Sequence, residues 1–366
     1  MWVLFRFIKN NPAMGLFFFS FSKISIPCAK YKGVEDMKRL ITFIAAIFIF
    51  LGFAFFQGNA KQTAKPKIPT VGILQLMNQP ALTQIQKGTI AGLKSEGFVK
   101  GKTVKIDYQY AQGNQSNLKS MSEKFENENA DLMIGITTPS SQSLADVTTK
   151  TPIVLGAVTD PKGAGLVKNE SHPGGNITGV SDQAPLKEQL DLIRKLMPNM
   201  KTLGIIYTSS DNSAVTQYKL FKKLCAEENL TLKAYSISNS NDLNQVSQTM
   251  LQNVDAVYVP TDNTIAGAMQ TLVKNANNAK IPVFPAVDSM VKQGGVATYS
   301  VNQYKLGVMT GQMAGKILKG QKPASTPIQF VKHGELTINL KQAKKLGIHI
   351  PDSLIKTAET KGEVFK

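Results

Sequence analysis

Short apolar runs alternate with amphipathic segments along most of the chain. The runs are rich in β-formers and end at turn residues, which predicts buried strands at TVGILQL (Thr70–Leu76), DLMIGI, PIVLGAV, TLGIIYT, DAVYVP and IPVFPAV. Between them, segments such as ALTQIQKGTIAGLKSEGF and AVTQYKLFKKLCAEENL carry apolar residues at helical spacing. Strands that alternate with helices predict an α/β fold whose parallel sheets are covered on both faces.

The alternation occurs twice, from Thr70 to Val180 and again from Leu203 to Val301. We therefore expect two doubly wound parallel-sheet lobes joined by a three-strand hinge. The first lobe is predicted to comprise residues 68–180 and 302–322, and the second to comprise residues 181–301 and 323–358, followed by a tail at 359–366. The expected crossings between the lobes lie near Val180–Asp182, Ser300–Gln303 and Lys322–Pro327.

The segment YKLGVMTGQMAGKILKG (Tyr304–Gly320) is predicted to be a helix with small residues on one face. Gly307, Gly311 and Gly315 recur every four residues, so this face can lie close to a neighbouring helix. We expect the helix to pack on the first lobe. TPIQFV is then predicted to return to the second lobe as a strand, and INLKQAKKLGI to form the last helix.

The N-terminal region has the pattern of a targeting segment. Lys38 and Arg39 precede a continuous apolar run, and Gly58-Asn59-Ala60 supplies small residues suited to cleavage. Residues 37–60 are therefore predicted to be a signal peptide or an uncleaved signal anchor, which places the folded part outside the cytoplasm, secreted or held at the membrane. Residues 61–69 are a predicted spacer. Residues 1–36 are interpreted as an upstream extension, with a first membrane segment as the alternative.

Charge and cysteine content exclude several classes of function. The formal net charge is +17, of which residues 1–67 contribute +8, and Arg194 is the only arginine beyond residue 67. Nucleic-acid sites favour arginine, so no nucleic-acid partner is expected. Cys28 and Cys225 are the two cysteines, and a single cysteine in the folded part cannot form an intramolecular disulfide. We expect a monomer.

The chain carries no recognisable catalytic or cofactor motif. His172, His333 and His349 are far apart and lack metal-ligand spacing, and there is no Gly-x-Ser-x-Gly, Walker or dinucleotide pattern. No catalytic residue, metal or cofactor is therefore expected.

In open parallel sheets, ligands bind beyond the carboxyl ends of the strands. One such end is TTPSSQSL, where hydroxyls and free backbone N–H groups gather at the start of a helix without any cationic side chain. Thr138, Ser140 and Ser141 are predicted to bind a carboxylate there. The alternative is ordinary helix capping by Ser140.

Aspartates follow three other strands and could bind an ammonium group. They are Asp160, Asp262 and Asp288, and the alternative is that each caps a turn or helix. A pocket that binds an anion at one end and a cation at the other suits an amino acid. The remaining residues predicted to line the cleft are Asn78, Gln79, Thr137, Thr159, Asn212, Asn263 and Tyr299. PGGNITGVSD is predicted to be a hinge that depends on Gly174, Gly175 and Gly179.

Several of these segments resemble the substrate-binding proteins of ABC importers of the tryptophan/tyrosine type. The similarity extends from about Val71 to Ile350 and rests on the segments LMNQPALTQIQKG, IGITTPSSQSL, VTDPKGAGLVKN, HPGGNITGVSD, VPTDNT and LGVMTGQMAGKILKG. Asn78-Gln79 departs from the acid or histidine that many relatives carry, which bears on ligand identity.

The resemblance implies a type I periplasmic-binding-protein fold and an extracytoplasmic receptor. Its ligand would be a hydrophobic, aromatic amino acid held between two closing lobes, and its partners an ABC permease and its ATPase. Three alternatives remain at this point: a branched-chain amino acid as ligand, a solute-sensing module for a membrane signalling partner, and an enzyme on the same fold.

Overall fold

The computed structural model describes residues 34–58, 68–331 and 333–366. Val34–Gly58 form helix α1, whose large apolar side chains between Met37 and Leu51 are exposed. Within the described residues, no helix combines the length and apolarity needed to cross a membrane. Most of the predicted upstream extension, Cys28, the cleavage residues Asn59 and Ala60, and residues 61–67 of the spacer lie outside the described residues.

The first lobe is built on a six-stranded parallel sheet in the order β11-β5-β4-β3-β1-β2. Its strands are β1 (Thr70–Gln75), β2 (Lys105–Tyr110), β3 (Leu132–Ile136), β4 (Ile153–Gly156), β5 (Ile177–Ser181) and β11 (Gln329–Phe330). Its helices are α2 (Pro80–Ser95), α3 (Gln115–Asn127), α4 (Thr138–Val147) and α11 (Gln303–Leu318).

Alternate residues of these strands enter two separate cores, one on each face of the sheet. Ile134 of β3 packs in a cluster with residues of α2 and α11, whereas its neighbour Met133 packs with residues of α3 and α4. A strand that is apolar at successive positions must be covered on both faces, which is why the runs in the sequence are continuous.

The second lobe contains a four-stranded parallel sheet in the order β7-β6-β8-β9 and a mixed three-stranded sheet in the order β10-β12-β13. Its strands are β6 (Thr202–Thr208), β7 (Thr231–Ile237), β8 (Ala256–Val259), β9 (Val283–Pro285), β10 (Ala297–Ser300), β12 (Glu335–Asn339) and β13 (Glu363–Phe365). Its helices are α5 (Leu186–Leu196), α6 (Asn212–Glu227), α7 (Leu243–Leu251), α8 (Asn263–Gly267), α9 (Met269–Ala279), α10 (Asp288–Lys292), α12 (Leu340–Lys345) and α13 (Asp352–Lys361). The predicted fold class, an α/β fold with parallel sheets, is confirmed.

Helices α2 and α11 of the first lobe lie in very close contact through glycines on both. A Cβ atom added at Gly88 would lie 2.1 Å from the Tyr304 carbonyl oxygen, and one at Gly307 would lie 2.1 Å from the Ile85 carbonyl oxygen. Only residues without a side chain allow the two backbones to approach this closely. The glycine-spaced helix therefore belongs to the first lobe.

The third crossing between the lobes lies later in the chain than predicted. Gln329 and Phe330 pair with Val180 and Ser181 of β5, and the Thr178 hydroxyl donates to the Thr326 carbonyl at 2.7 Å. The prediction that TPIQFV returns to the second lobe is therefore wrong. The chain re-enters that lobe between Phe330 and Glu335, because residues 329 and 330 extend the first-lobe sheet along the edge of β5.

The C-terminal residues are also part of the second lobe. Strand β12, helix α13 and strand β13 are not among the predicted elements, and β13 pairs with Thr337–Asn339 of β12. The predicted tail at 359–366 is wrong for this reason: its last residues complete a sheet.

The predicted hinge glycines do not lie at a crossing. Gly174 precedes β5, and its N–H donates to Ala324 at 2.9 Å within the first lobe. Gly175 lies beside it, at the amino end of the strand, whereas the chain leaves the lobe at the carboxyl end. Gly179 lies inside β5, where an added Cβ would lie 2.3 Å from Leu155 Cβ, so it permits close packing against β4.

Candidate functional site

The carboxyl ends of strands from both lobes surround a narrow cavity. The residues that line it from the first lobe and the crossings are Gln79, Ala81, Leu82, Ile85, Thr137, Thr138, Ala157, Thr159, Asp182 and Gln303. Those from the second lobe are Ser213, Thr261, Asp262, Asn263, Ala266, Val287, Ser289 and Met290. This is the position at which open parallel sheets bind ligands.

Two neighbouring strand ends in this cavity have an unusual backbone conformation. Thr137 follows β3 with φ 92°, and Ala157 follows β4 with φ 64°. Residues with a side chain rarely adopt positive φ, and such strain concentrates at functional sites. Both residues line the cavity, so the strain shapes the surface that a ligand would contact.

The first turn of α4 starts at this surface without a side-chain cap. Thr137 occupies the N-cap position and no side chain accepts a hydrogen bond there, so the capping alternative proposed for Ser140 is wrong. The first backbone N–H groups of a helix attract anions when no cap satisfies them. The Thr138 hydroxyl is at the cavity and lies 2.9 Å from the Ser213 hydroxyl of the second lobe.

Ser140 and Ser141 do not line the cavity. Both are fully buried, the Ser141 hydroxyl donates to the Gly135 carbonyl at 3.1 Å, and the Ser140 hydroxyl accepts from Thr137 at 3.3 Å. Neither hydroxyl lies at the cavity as predicted, because Ser141 bonds to β3 and Ser140 bonds to Thr137. In this segment, Thr137 and Thr138 are the residues that line the cavity.

Asp182 is the acid that the sequence analysis did not assign to the ligand. It directly follows β5, is 9 % exposed and lines the cavity, and the Thr159 hydroxyl donates to its Oδ1 at 2.9 Å. Burial raises the pKa of its carboxyl to about 6. GVSD ends a strand, so the strand-end rule points to Asp182 as well, but the sequence pattern of this segment predicts only a hinge.

Asp262 also lines the cavity, although its oxygens already accept hydrogen bonds from the protein. Its Oδ2 accepts from the Thr208 N–H at 2.6 Å, and its Oδ1 accepts from the Thr208 hydroxyl at 3.0 Å and the Ile265 N–H at 2.9 Å. It therefore caps α8, as the alternative held, and still presents its charge to the cavity. Burial raises the pKa of this carboxyl.

Asp211 adds a third acid close to these two. It caps α6 by accepting from the Ser213 and Ala214 N–H groups, and burial together with the charge of Asp262 raises the pKa of its carboxyl to about 7. Of the described residues that line the cavity, none is lysine or arginine. The cavity therefore has two lining carboxyl groups, a third close by, and no cationic side chain to balance them.

The other two predicted ammonium ligands lie elsewhere. Asp160 accepts from the Gly163 N–H at 2.7 Å and lines a separate groove with Phe330 and Leu220. Asp288 begins α10, accepts from the Ser289 N–H at 2.6 Å and is not among the cavity-lining residues. Asp160 closes a turn, in keeping with the capping alternative, whereas Asp288 is the first residue of α10 and makes no capping hydrogen bond. Burial raises the pKa of the Asp288 carboxyl to about 6.

Of the remaining residues predicted to line the cleft, some line the cavity and others do not. Gln79, Thr137, Thr159 and Asn263 line the cavity. Asn78 is exposed and accepts from Thr83, Asn212 lines an outer groove beside Asp211, and Tyr299 packs against the second-lobe core. The predictions that these three residues line the cavity are wrong. Asn78 turns to solvent, Asn212 lies beyond Ser213, and Tyr299 points from β10 into the second lobe.

Part of the cavity surface is aliphatic. This part consists of Leu82 and Ile85 from α2, Val287 and Met290 from the second lobe, and three alanines. Apolar walls with a few fixed polar groups are typical of small-molecule sites. Within the described residues, no group of histidine, cysteine or acidic side chains could hold a metal ion.

Comparison with known proteins agrees with this geometry. Residues 70–361 match the family described as ABC transporter substrate binding protein. The chain is 34% identical over 286 residues to a tyrosine-binding protein of Clostridioides difficile (strain R20291), covering 78% of this chain and 83% of that protein.

Solved structures show the same similarity. The ABC domain from Streptococcus pneumonia in complex with L-Trp is 41% identical, with TM-score 0.78 over 81% of this chain and 99% of that one. A ligand-free, open substrate-binding protein with adhesive properties from Clostridium difficile is 33% identical, with TM-score 0.66 over 82% of this chain and 100% of that one. The fold is that of the type I periplasmic binding proteins. The match across residues 70–361 shows that this chain belongs to the family of ABC transporter substrate-binding proteins.

Proposed function

We propose that this chain is the extracytoplasmic receptor of an ABC importer and that it binds an aromatic amino acid between its lobes. The observation that carries the proposal is the cavity itself, which combines an uncapped helix start, two carboxylates and no cationic side chain. A ligand with both a carboxylate and an ammonium group satisfies both sides. The tyrosine-binding relative and the L-Trp complex support an aromatic side chain against the aliphatic wall.

Each group of residues at the cavity has a role in this binding. The N–H groups at the start of α4 and the Thr138 hydroxyl bind the carboxylate. Asp182 accepts from the ammonium group, and Asp262 adds its charge from the second lobe. A ligand that contacts both lobes stabilises the closed state through the contacts that exist only there.

The proposed function also implies partners, a location and an oligomeric state. The partners are a permease and its ATPase, which would receive the amino acid when the lobes open. Residues 37–60 would direct the protein outside the cytoplasm as a cleaved signal or an anchor, and the protein would act as a monomer. The ligand is released chemically unchanged, since the family consists of binding receptors.

Calorimetric titration of the purified chain with amino acids and their analogues tests the proposal. We expect tryptophan, tyrosine or phenylalanine to bind. Tryptamine lacks the carboxylate and indole-3-propionate lacks the ammonium group, so each is expected to bind at least about tenfold more weakly than tryptophan, since each loses a charge-assisted hydrogen bond. Equal affinity for tryptophan and tryptamine would contradict the assignment of a carboxylate site. A chain that binds leucine and isoleucine but no aromatic amino acid would support the branched-chain alternative instead.

A further inference from the structure

Two side-chain hydrogen bonds join the lobes at the cavity; Glu335 accepts two more from Asn302 and Lys305 beside the crossings. Gln79 Nε2 donates to the Asn263 carbonyl oxygen at 2.6 Å, and the Thr138 and Ser213 hydroxyls lie 2.9 Å apart. Both bonds join protein atom to protein atom, and the bond from Gln79 uses no atom that the proposed function assigns to the ligand.

The start of α2 positions Gln79 to make this contact. It occupies the N-cap position with an extended backbone, and Pro80 follows as the first helical residue. Its side chain makes no capping hydrogen bond. The amide instead reaches the second lobe, where a Cβ added at Gly267 would lie 3.6 Å from Nε2. The Gln79 amide therefore lies close to both the first and the last residue of the short helix α8.

The residues next to Gln79 add apolar contacts between the two lobes. Ala81, in the first turn of α2, packs against the core of the second lobe, and α2 also contacts α10. Gln79 itself is only 8 % exposed. The first turn of α2 is therefore a docking surface for the second lobe, with one polar bond at its centre.

We propose that Gln79 is a latch that holds the lobes closed before a ligand arrives and slows the release of a bound one. It is a positioning residue: it holds α8, and with it Asp262 and Asn263, against the first lobe. The slower release rests on the proposed function, whereas the effect on the free protein does not. When the lobes open, water hydrates both the amide and the carbonyl, so the latch adds only the net strength of one hydrogen bond.

That net strength sets the size of the expected effect. One neutral hydrogen bond shifts an equilibrium by about two- to twelvefold, so removing the donor should lower the closed-to-open ratio by about fivefold. The Thr138–Ser213 contact remains, and closure is weakened without being abolished.

Distances between spin labels measure this ratio directly. Labels at Lys119→Cys on the first lobe and Lys223→Cys on the second occupy positions whose native side chains are 76% and 78% exposed. The full chain is used with Cys28→Ser, and Cys225 is buried. Gln79→Met removes the donor at similar length. Gln84→Met is the matched control, because Gln84 lies on the same helix but is exposed.

Without added amino acid, we expect a substantial short-distance population, and Gln79→Met should lower the ratio of short- to long-distance populations about fivefold while Gln84→Met leaves it unchanged. Gln79→Glu, which also cannot donate, should behave like Gln79→Met, and unchanged melting temperatures would show that both variants fold. Only long distances in the parent chain, or the same distribution in Gln79→Met, would overturn the latch. So would equal shifts in Gln79→Met and Gln84→Met.

A second arm adds L-tryptophan and follows its dissociation. We expect Gln79→Met to release it about fivefold faster, with little change in the association rate. If no amino acid alters the distances in the parent chain, the proposed ligand class is wrong, while the comparison of the free proteins still decides the latch. If the amino acid closes the parent chain but Gln79→Met releases it at the parent rate, the latch is wrong and the ligand class stands.

Discussion

Asp182 and Asp160 both follow strands of the first lobe, but their oxygens have different surroundings. Asp182 lines the cavity beside Thr159, whereas Asp160 closes a turn onto Gly163 away from it. We predict that Asp182→Asn weakens binding of an aromatic amino acid about ten- to hundredfold, the value of a hydrogen bond to a charged group. Asp160→Asn serves as the control and should bind as the parent does. Calorimetric titration of both variants checks this, and equal losses would argue against the assigned position of the ammonium group.

At the scale of elements, the contact between α2 and α11 depends on glycine. We predict that Gly307→Ala destabilises the chain by about 1–3 kcal/mol or more, because its Cβ would overlap the Ile85 carbonyl and force the helices apart. Gln84→Ala, on the exposed side of α2, should leave the melting temperature nearly unchanged. Thermal denaturation followed by circular dichroism measures both. A Gly307→Ala variant that melts with the parent would mean that the helices separate at little cost.

At the scale of the whole molecule, Asp182, Asp211 and Asp262 bring negative charge together from a crossing and from the second lobe. The pKa values of Asp182 and Asp211 rise to about 6 and about 7, against 3.8 for an ordinary aspartate, and that of Asp262 also rises. The folded state therefore holds more protons than the unfolded state between about pH 4 and 7. These groups stabilise the ligand-free fold most at low pH, and this contribution is lost as the pH rises through 6 to 7.

Ligand affinity should change with pH in the opposite direction. An ammonium ligand needs ionised carboxylates, so we predict that affinity increases from pH 5 to pH 7.5 while the contribution of these groups to ligand-free stability decreases. Titrations and thermal melts at the two pH values check the pair of trends. Asp182→Asn should flatten the affinity trend, and a parent chain whose affinity is independent of pH would contradict an ammonium contact.

Much of the architecture could be predicted from local patterns. Continuous apolar runs require cover on both faces, which is enough to predict parallel sheets, and the four-residue spacing of Gly307, Gly311 and Gly315 indicates a close helix contact. The strand-end rule also identified Thr138, Thr159, Asp262 and Asn263 at the cavity, because the carboxyl ends of parallel strands meet at one edge.

The sequence by itself determined which strand ends meet; only the tertiary structure decided which side chains face the cavity. Ser141 and Asp160 lie on the predicted loops, yet one hydroxyl donates into β3 and one carboxylate accepts from its own turn. Such local bonds compete with a ligand and depend on backbone angles that residue identity does not specify. Likewise, the return of Gln329 and Phe330 to β5, and the bond from Gln79 to Asn263, join residues about 150 and 184 positions apart. Contacts at that separation are set by how the lobes fold and meet, and no local pattern in the chain encodes them.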